Sequence, residues 1–424
     1  MKKDIIVIGG GGREHAIIKA LKKSPEINKI YALPGNAGML GDSECVNIGV
    51  KDINGVLEFA KSHNIGFAVI APDDPLVLGM ADMLTEAGIP VFGPSKKAAA
   101  IEGSKVFSKL LMRKYGIPTA NFRAFSAVDS ALEYVKVCEI PTVVKADGLA
   151  LGKGVIIAET REDAEKAVKS IMEDKIFGES GANIVIEEFL SGPEVSVLSF
   201  TDGNTVVPMV SSMDHKRALD GDKGQNTGGM GAVAPNPWYT EDIAERCMRE
   251  IFIPTIDAMN REGRTFKGCL YFGLMLTANG PKVIEYNCRF GDPETQAVLP
   301  LLETDLFTVM QAVSEGRLKD IEIKFSDKHA CCVVMASHGY PVQYEKGFEI
   351  SLDKDITGQV YFAGASLKDG KLVTSGGRVL GVTNVAETLE KAVEMSYNDV
   401  DKIHFANAFY RRDIGKKALA AQEQ

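Results

Sequence analysis

Glu285-Tyr286-Asn287-Cys288-Arg289-Phe290-Gly291-Asp292-Pro293-Glu294-Thr295-Gln296 gathers acids, amides and an arginine directly behind an apolar, strand-like run. Successive side chains of a strand point to opposite faces, so Glu285 and Asn287 share one face while Tyr286 and Cys288 take the other. A carboxylate and an amide oxygen converging on one point suit Mg²⁺, a hard cation that keeps several waters and is completed by substrate phosphates. A polar turn after a surface strand would use the same residue types, so the other motifs must decide.

Gly9-Gly10-Gly11-Gly12-Arg13-Glu14-His15 falls where a strand gives way to a helix. Free backbone amides and the positive helix end could face a phosphate there. The dinucleotide fingerprint fails: its third glycine is missing, and the second strand ends Tyr31-Ala32-Leu33-Pro34 with no acid for a ribose hydroxyl. A phosphorylated substrate is expected instead. Lys145-Ala146-Asp147-Gly148-Leu149-Ala150-Leu151-Gly152-Lys153-Gly154 lies between two strands, which makes it a glycine-rich hairpin loop rather than a Walker A loop before a helix. Lys145 can point inward at a phosphate, and Lys153 rides a segment that could close over one. Ile184 to Glu194 is an apolar strand ending in acids, for which a nucleobase amino group and ribose hydroxyls are suitable donors. Asp214-His215-Lys216-Arg217 adds a charged loop and Asn226 to Gly231 a glycine-rich turn. His215 has no metal-ligand partner at a sensible spacing and is expected to be scaffold.

Behind these motifs, short β-branched runs alternate with helical patterns through the first hundred or so residues, which is βαβ grammar and predicts a parallel sheet. The fold class expected is α/β and α+β: an N-terminal parallel α/β domain over 1–103, a two-lobed domain over 104–325 with a mobile lobe at about 120–191, and a β-rich C-terminal domain over 326–424. A hairpin is expected around Asn279-Gly280. The chain has 424 residues, 45% of them hydrophobic, and a formal charge of -9, which argues against general affinity for nucleic acid or membranes. Seven cysteines without a C-x-x-C motif indicate neither zinc nor a disulfide framework, and a cytoplasmic protein is expected.

On these residues the chain resembles the phosphoribosylamine-glycine ligases, also called glycinamide ribonucleotide synthetases, of the ATP-grasp superfamily. Arg289 to Gln296 resembles their signature, and Gly9 to His15, Lys145 to Gly154, Asp214 to Arg217, Asn226 to Gly231, Gly339-Tyr340-Pro341, Gly377 to Leu380 and Arg412 to Gly415 agree in order. The resemblance implies an ATP-grasp fold that joins glycine to 5-phosphoribosylamine, both small molecules, through glycyl phosphate in purine biosynthesis. It implies ATP between two lobes, with Lys105, Lys145, Gly152, Lys153 and Gly154 about the phosphates, Glu187 and the Glu188 to Leu190 backbone at adenine, and Glu194 at ribose. Glu285 and Asn287 would ligate Mg²⁺ or Mn²⁺. Arg289, Asp214 and Lys153 would be catalytic, with Arg289 and Asp214 near glycine, and Gly9, Gly10, Gly11, Gly12 and Arg13 would hold the sugar phosphate. A monomer is expected, and another ATP-grasp carboxylate-amine ligase is the runner-up. Three departures stand out: Ala71-Pro72-Asp73-Asp74 replaces the usual Gly-Pro-Glu, Gln225 replaces a proline, and Cys269 to Leu276 lacks a metal-binding acid found in many ATP-grasp enzymes.

Overall fold

The computed structural model describes residues 2–150 and 154–422. Five parallel strands open the chain: β1 (Lys3–Gly9), β2 (Ile27–Pro34), β3 (Glu44–Cys45), β4 (Phe67–Ile70) and β5 (Val91–Phe92), ordered β3-β2-β1-β4-β5. Ile5, Ile6, Val7 and Ile8 are all fully buried, as an apolar run must be when helices cover both faces of a parallel sheet. Strand order reverses between β1 and β4, and an open α/β sheet collects ligands in the crevice at such a reversal. Gly9 ends β1 and Asp73 follows β4, so the glycine run and the altered acid face the same crevice.

The small lobe is an antiparallel sheet of β6 (Phe122–Phe125), β7 (Thr142–Ala146), β8 (Val155–Ala158) and β9 (Ile184–Glu188), ordered β6-β9-β7-β8. Val144, Ala146, Ile184 and Ile186 pack with the Val128–Val135 and Arg161–Met172 helices into a core of the lobe's own. Alternation therefore puts Val143, Lys145, Val185 and Glu187 on the opposite face.

The central sheet contains the expected hairpin, Gly268–Thr277 against Gly280–Asn287. Its ladder is irregular at one place: Gly273 pairs with Glu285 but Leu274 pairs with Val283, leaving Ile284 as an extra residue. This bulge resets the alternation. Val283 and Tyr286, three positions apart, both enter the core with Cys288, and Glu285 and Asn287 turn together to the other face.

The C-terminal sheet holds the strands His329–Ser337, Arg378–Ala386 and Gln359–Phe362. It also recruits Met213–Asp214 and Gly231–Ala234, so residues well before 326 complete it and bring the charged loop to its edge. Among the described residues no helix is long and apolar enough to cross a membrane.

Candidate active site

Glu285 and Asn287 are half-buried at the end of the hairpin, facing the small lobe. Burial pushes the Glu285 carboxyl up, but the charges of Lys216, Lys145, Lys105 and Arg289 outweigh it and hold the group below the usual carboxylate range. The charges of four cations thus keep this carboxylate ionised. The Asn287 Oδ1 accepts from Arg289 Nη2 at 3.2 Å and has a second lone pair to offer. Among the described residues no group of three or more His, Cys, Asp or Glu could hold a metal, so a cation here would rest on this pair and on ligand oxygens. The donors are hard oxygens, and they fit such an ion.

Lys145 meets Glu187 because Val143 pairs with Glu187 and Lys145 with Val185, which makes the two charged side chains diagonal neighbours on one face of the sheet. The Lys145 Nζ lies 3.0 Å from Glu187 Oε2 and donates to the carbonyl of the bulged Ile284 at 3.2 Å. Lys109 reaches the same carboxylate oxygen, also at 3.0 Å. Lys109 is 2% exposed, and burial pushes its ammonium down to about 8 even beside Glu187. The other oxygen, Glu187 Oε1, is buried and has no partner in the protein. Lys105, at the start of the Lys105–Tyr115 helix, donates to the Gly148 carbonyl at 3.2 Å, and burial lowers its pKa against the pull of Glu285.

Glu188 points the other way. Its carboxylate accepts from the Asn121 backbone and side chain and from Lys282, and its backbone N–H donates to the Asn121 carbonyl at 2.9 Å. Glu194 is exposed at the start of the Glu194–Thr201 strand and pairs with Lys216 at 2.8 Å. Leu190 is half-buried in the turn before it. Lys153 and Gly152 lie outside the described residues; Gly154 is buried beside β8.

Arg289 is held through Nη2 by Glu102 at 3.0 Å, with Asp73 at 4.0 Å, while its buried Nε has no partner. Burial would lower the guanidinium's pKa, but Glu102 and Asp73 raise it. Asp214 carries a buried Oδ1 without a partner, and burial, with Glu294 nearby, raises its carboxyl well above the usual value. Asp292 is gripped by Arg378 through both guanidinium nitrogens, at 3.2 and 3.0 Å, and Arg378 also takes the Gly228 carbonyl at 2.6 Å. The glycine-rich turn is thereby tied to the signature segment by a C-terminal residue.

The glycine run is largely satisfied from within. Gly11 N donates to Glu14 Oε2 at 2.6 Å, Arg13 Nε to Glu14 Oε1 at 2.7 Å and Arg13 Nη1 to the Phe290 carbonyl at 3.0 Å. Gly9 has φ +123°, a Cβ on Gly10 would sit 2.4 Å from the Gly35 carbonyl oxygen, and one on Gly12 would sit 2.7 Å from Gln296 Nε2. Conformation at Gly9 and a backbone neighbour at Gly10 therefore demand glycine by themselves, whereas Gly12 faces only the end of a side chain. In the charged loop, His215 is scaffold: Gly415 N donates to its Nε2 at 3.3 Å, and the ring meets the Gly231 carbonyl through Nδ1 at 3.3 Å. Asp74, the added acid, pairs with the exposed Lys51 at 2.9 Å.

Sequence inspection missed Lys109 and Glu102. Lys109 had a signal, since it stands one turn after Lys105 in the Lys105–Tyr115 helix; Glu102 had none, because it belongs to the preceding helix, which ends at Gly103 before the extended Ser104.

Family models for the three domains of phosphoribosylglycinamide synthetase match residues 3–102 (N domain), 103–295 (ATP-grasp domain) and 330–417 (C domain). The phosphoribosylamine-glycine ligase of Caldanaerobacter subterraneus is 47% identical over 97% of this chain and 99% of its own. A bifunctional purine biosynthetic protein of Schizosaccharomyces pombe is 48% identical over 98% of this chain and 53% of its own. The crystal structure of the phosphoribosylamine-glycine ligase of Thermotoga maritima superposes with a TM-score of 0.86 at 38% identity, covering 97% of this chain and all of that one. A three-domain match in order, with full-length likeness in sequence and fold, means that this chain belongs to the phosphoribosylglycinamide synthetase family of ATP-grasp carbon-nitrogen ligases.

Proposed function

We propose that the chain ligates glycine to 5-phosphoribosylamine at the expense of ATP, yielding glycinamide ribonucleotide, ADP and phosphate, through glycyl phosphate. The glycine carboxylate attacks the γ-phosphorus, and ADP leaves. The sugar amine then attacks the acyl carbon, phosphate departs, and the nitrogen loses a proton. No enzyme nucleophile is required, so the work falls to groups that position and neutralise charge. The observation that carries this reading is the hairpin end itself, where Glu285 and Asn287 turn to one face and the charges of Lys216, Lys145, Lys105 and Arg289 keep the Glu285 carboxylate ionised.

In this reading Lys105 and Lys145 meet the ATP phosphates, and the unpartnered Glu187 Oε1 accepts from the adenine amino group. The Glu188 to Leu190 backbone lines the base, and Glu194 takes ribose hydroxyls. Glu285 and Asn287 would hold Mg²⁺ or Mn²⁺, which supplies neutralisation of phosphate charge when bound. Arg289 grips the glycine carboxylate, and the buried Asp214 carboxylate suits the glycine ammonium, since a cation would compensate its burial. The sugar phosphate is assigned to Arg13 and the amides of Gly9 to Gly12 at the sheet crevice, where Asp73 stands near the ribose. Lys153, with Gly152 and Gly154, would close over the phosphates and exclude water from the acyl phosphate. We keep one chain as the proposed unit and the cytoplasm as its place; all seven cysteines are free thiols.

ADP release tests this directly. Steady turnover should need ATP, glycine and freshly generated phosphoribosylamine together, and equal ADP release with glycine omitted would refute the reaction.

A further inference from the structure

Lys109, Glu187 and Lys145 form a buried triad of two ammoniums on one carboxylate oxygen, each contact 3.0 Å long. All three residues are less than 5% exposed. The geometry is over-determined: Lys109 also donates to Thr119 Oγ1 at 2.7 Å, and that hydroxyl donates to the Val283 carbonyl, again at 2.7 Å. Val283 precedes the bulged Ile284, whose carbonyl receives Lys145. Helix, small lobe and hairpin are thus closed into one ring of contacts around Glu187.

The charge count gives this ring a purpose. A lone Lys145–Glu187 pair would be neutral, and a buried lysine already matched by a carboxylate has little net charge for a third party. Charges so close in a low-dielectric setting interact strongly, so the balance matters more here than at a surface. With Lys109 on the same oxygen the triad carries one net positive charge. Lys109 is held by Thr119, whereas Lys145, equally buried, stands on the face of β7 turned away from the lobe's own core and reaches the hairpin at Ile284.

We propose that Lys109 is a positioning residue for ATP: by neutralising Glu187 it releases the charge of Lys145 to the phosphates. The inference rests on the reading above that Lys145 meets those phosphates.

A four-member kinetic cycle of wild type, Lys109→Met, Glu187→Gln and the double variant tests it in the full-length enzyme, with Lys145→Met as reference. Lys109→Met should lower kcat/KM for ATP on the order of ten- to a hundredfold, the range of a lost charge-assisted contact, and leave KM for glycine within about twofold. In the Glu187→Gln background, which has no carboxylate to neutralise, the same Lys109 substitution should cost less than about threefold. That comparison stands even if Lys109→Met alone fails to fold, because the double variant leaves no buried carboxylate short of a partner. An equal loss from Lys109→Met in both backgrounds, or no loss in either, overturns the proposal. If Lys145→Met leaves KM and kcat for ATP unchanged, it is the phosphate assignment of Lys145 that falls.

Discussion

The two strand ends that border the cleft treat their polar groups in opposite ways. At the end of β1 the groups are consumed internally: Glu14 caps Gly11 and holds Arg13, and Arg13 is further spent on the Phe290 carbonyl. At the end of the hairpin they are left wanting. Glu285 is ionised among four cations, and the buried Nε of Arg289 has no partner. An unpaired buried group costs about 1–3 kcal/mol to strand, so an orphaned guanidinium nitrogen beside an ionised carboxylate suits a ligand or a water. A satisfied loop can still bind, but its residues answer first to the fold.

The sharpest break of this comparison is Glu285→Gln. It deletes a charge at constant volume from a proposed metal site of two side chains, and kcat should fall by about a hundredfold or more while the fold persists. Unchanged kcat and unchanged Mg²⁺ dependence in a metal titration would remove Glu285 from the ligand set.

Arg289→Lys comes next. A guanidinium can hold a carboxylate by two parallel bonds whereas an ammonium is a point charge, so kcat/KM for glycine should drop on the order of ten- to a hundredfold with ATP binding nearly untouched. The structure supplies the competing outcome: Arg289 also braces Glu102, whose other oxygen accepts from Cys288 N at 2.7 Å. Normal glycine kinetics with a lowered melting temperature would therefore assign Arg289 to the scaffold through Glu102.

The contrast also explains what was legible in the sequence. The apolar strand read from Ile184 stands as Ile184–Glu188 with its acids at the end, and the Asn279-Gly280 turn announced its hairpin. The facing of Glu285 and Asn287 was legible because a two-residue period is local. The bulge at Ile284 was not, since nothing in Val283-Ile284-Glu285 distinguishes an extra residue from a paired one. Nor was the joining of Lys109 to Glu187, because 78 residues separate partners that only tertiary packing brings together. The packing side of the glycine run was not legible either: the run reads locally as amides open to an anion, and nothing in it shows that the Gly35 carbonyl leaves no room for a side chain on Gly10.

On the satisfied side, Gly10→Ala should therefore act on stability before it acts on chemistry. Its Cβ would lie 2.4 Å from a backbone oxygen that has no rotamer to escape by, so a loss of roughly 1–3 kcal/mol is expected, as for an overpacked core. Denaturant melts should show it, with KM values of the remaining folded enzyme close to those of the parent. A variant of full stability that loses only affinity for phosphoribosylamine would show that the loop is shaped by its ligand after all.

Asp214 and His215 repeat the contrast within two adjacent residues, one with a stranded carboxylate oxygen and the other with both ring nitrogens engaged. Because Gly415 N donates to Nε2, the ring proton sits on Nδ1 and donates to the Gly231 carbonyl; a second proton on Nε2 would face an N–H. Burial lowers this histidine from 6.5 to about 4, and the Arg411 charge adds to the effect. The unfolded chain therefore binds a proton that the folded chain refuses throughout that window. Stability from this group is complete above pH 6.5 and is lost as pH falls toward about 4, with about 1.4 kcal/mol gone by pH 5.5. His215→Gln keeps an acceptor and a donor but cannot titrate, so the stability difference between wild type and variant should change by that amount between pH 7.5 and about 5.5 in paired urea melts. Parallel pH profiles for the two proteins would mean that His215 charges freely, and that the joint between the charged loop and the C-terminal tail is looser than its hydrogen bonds imply.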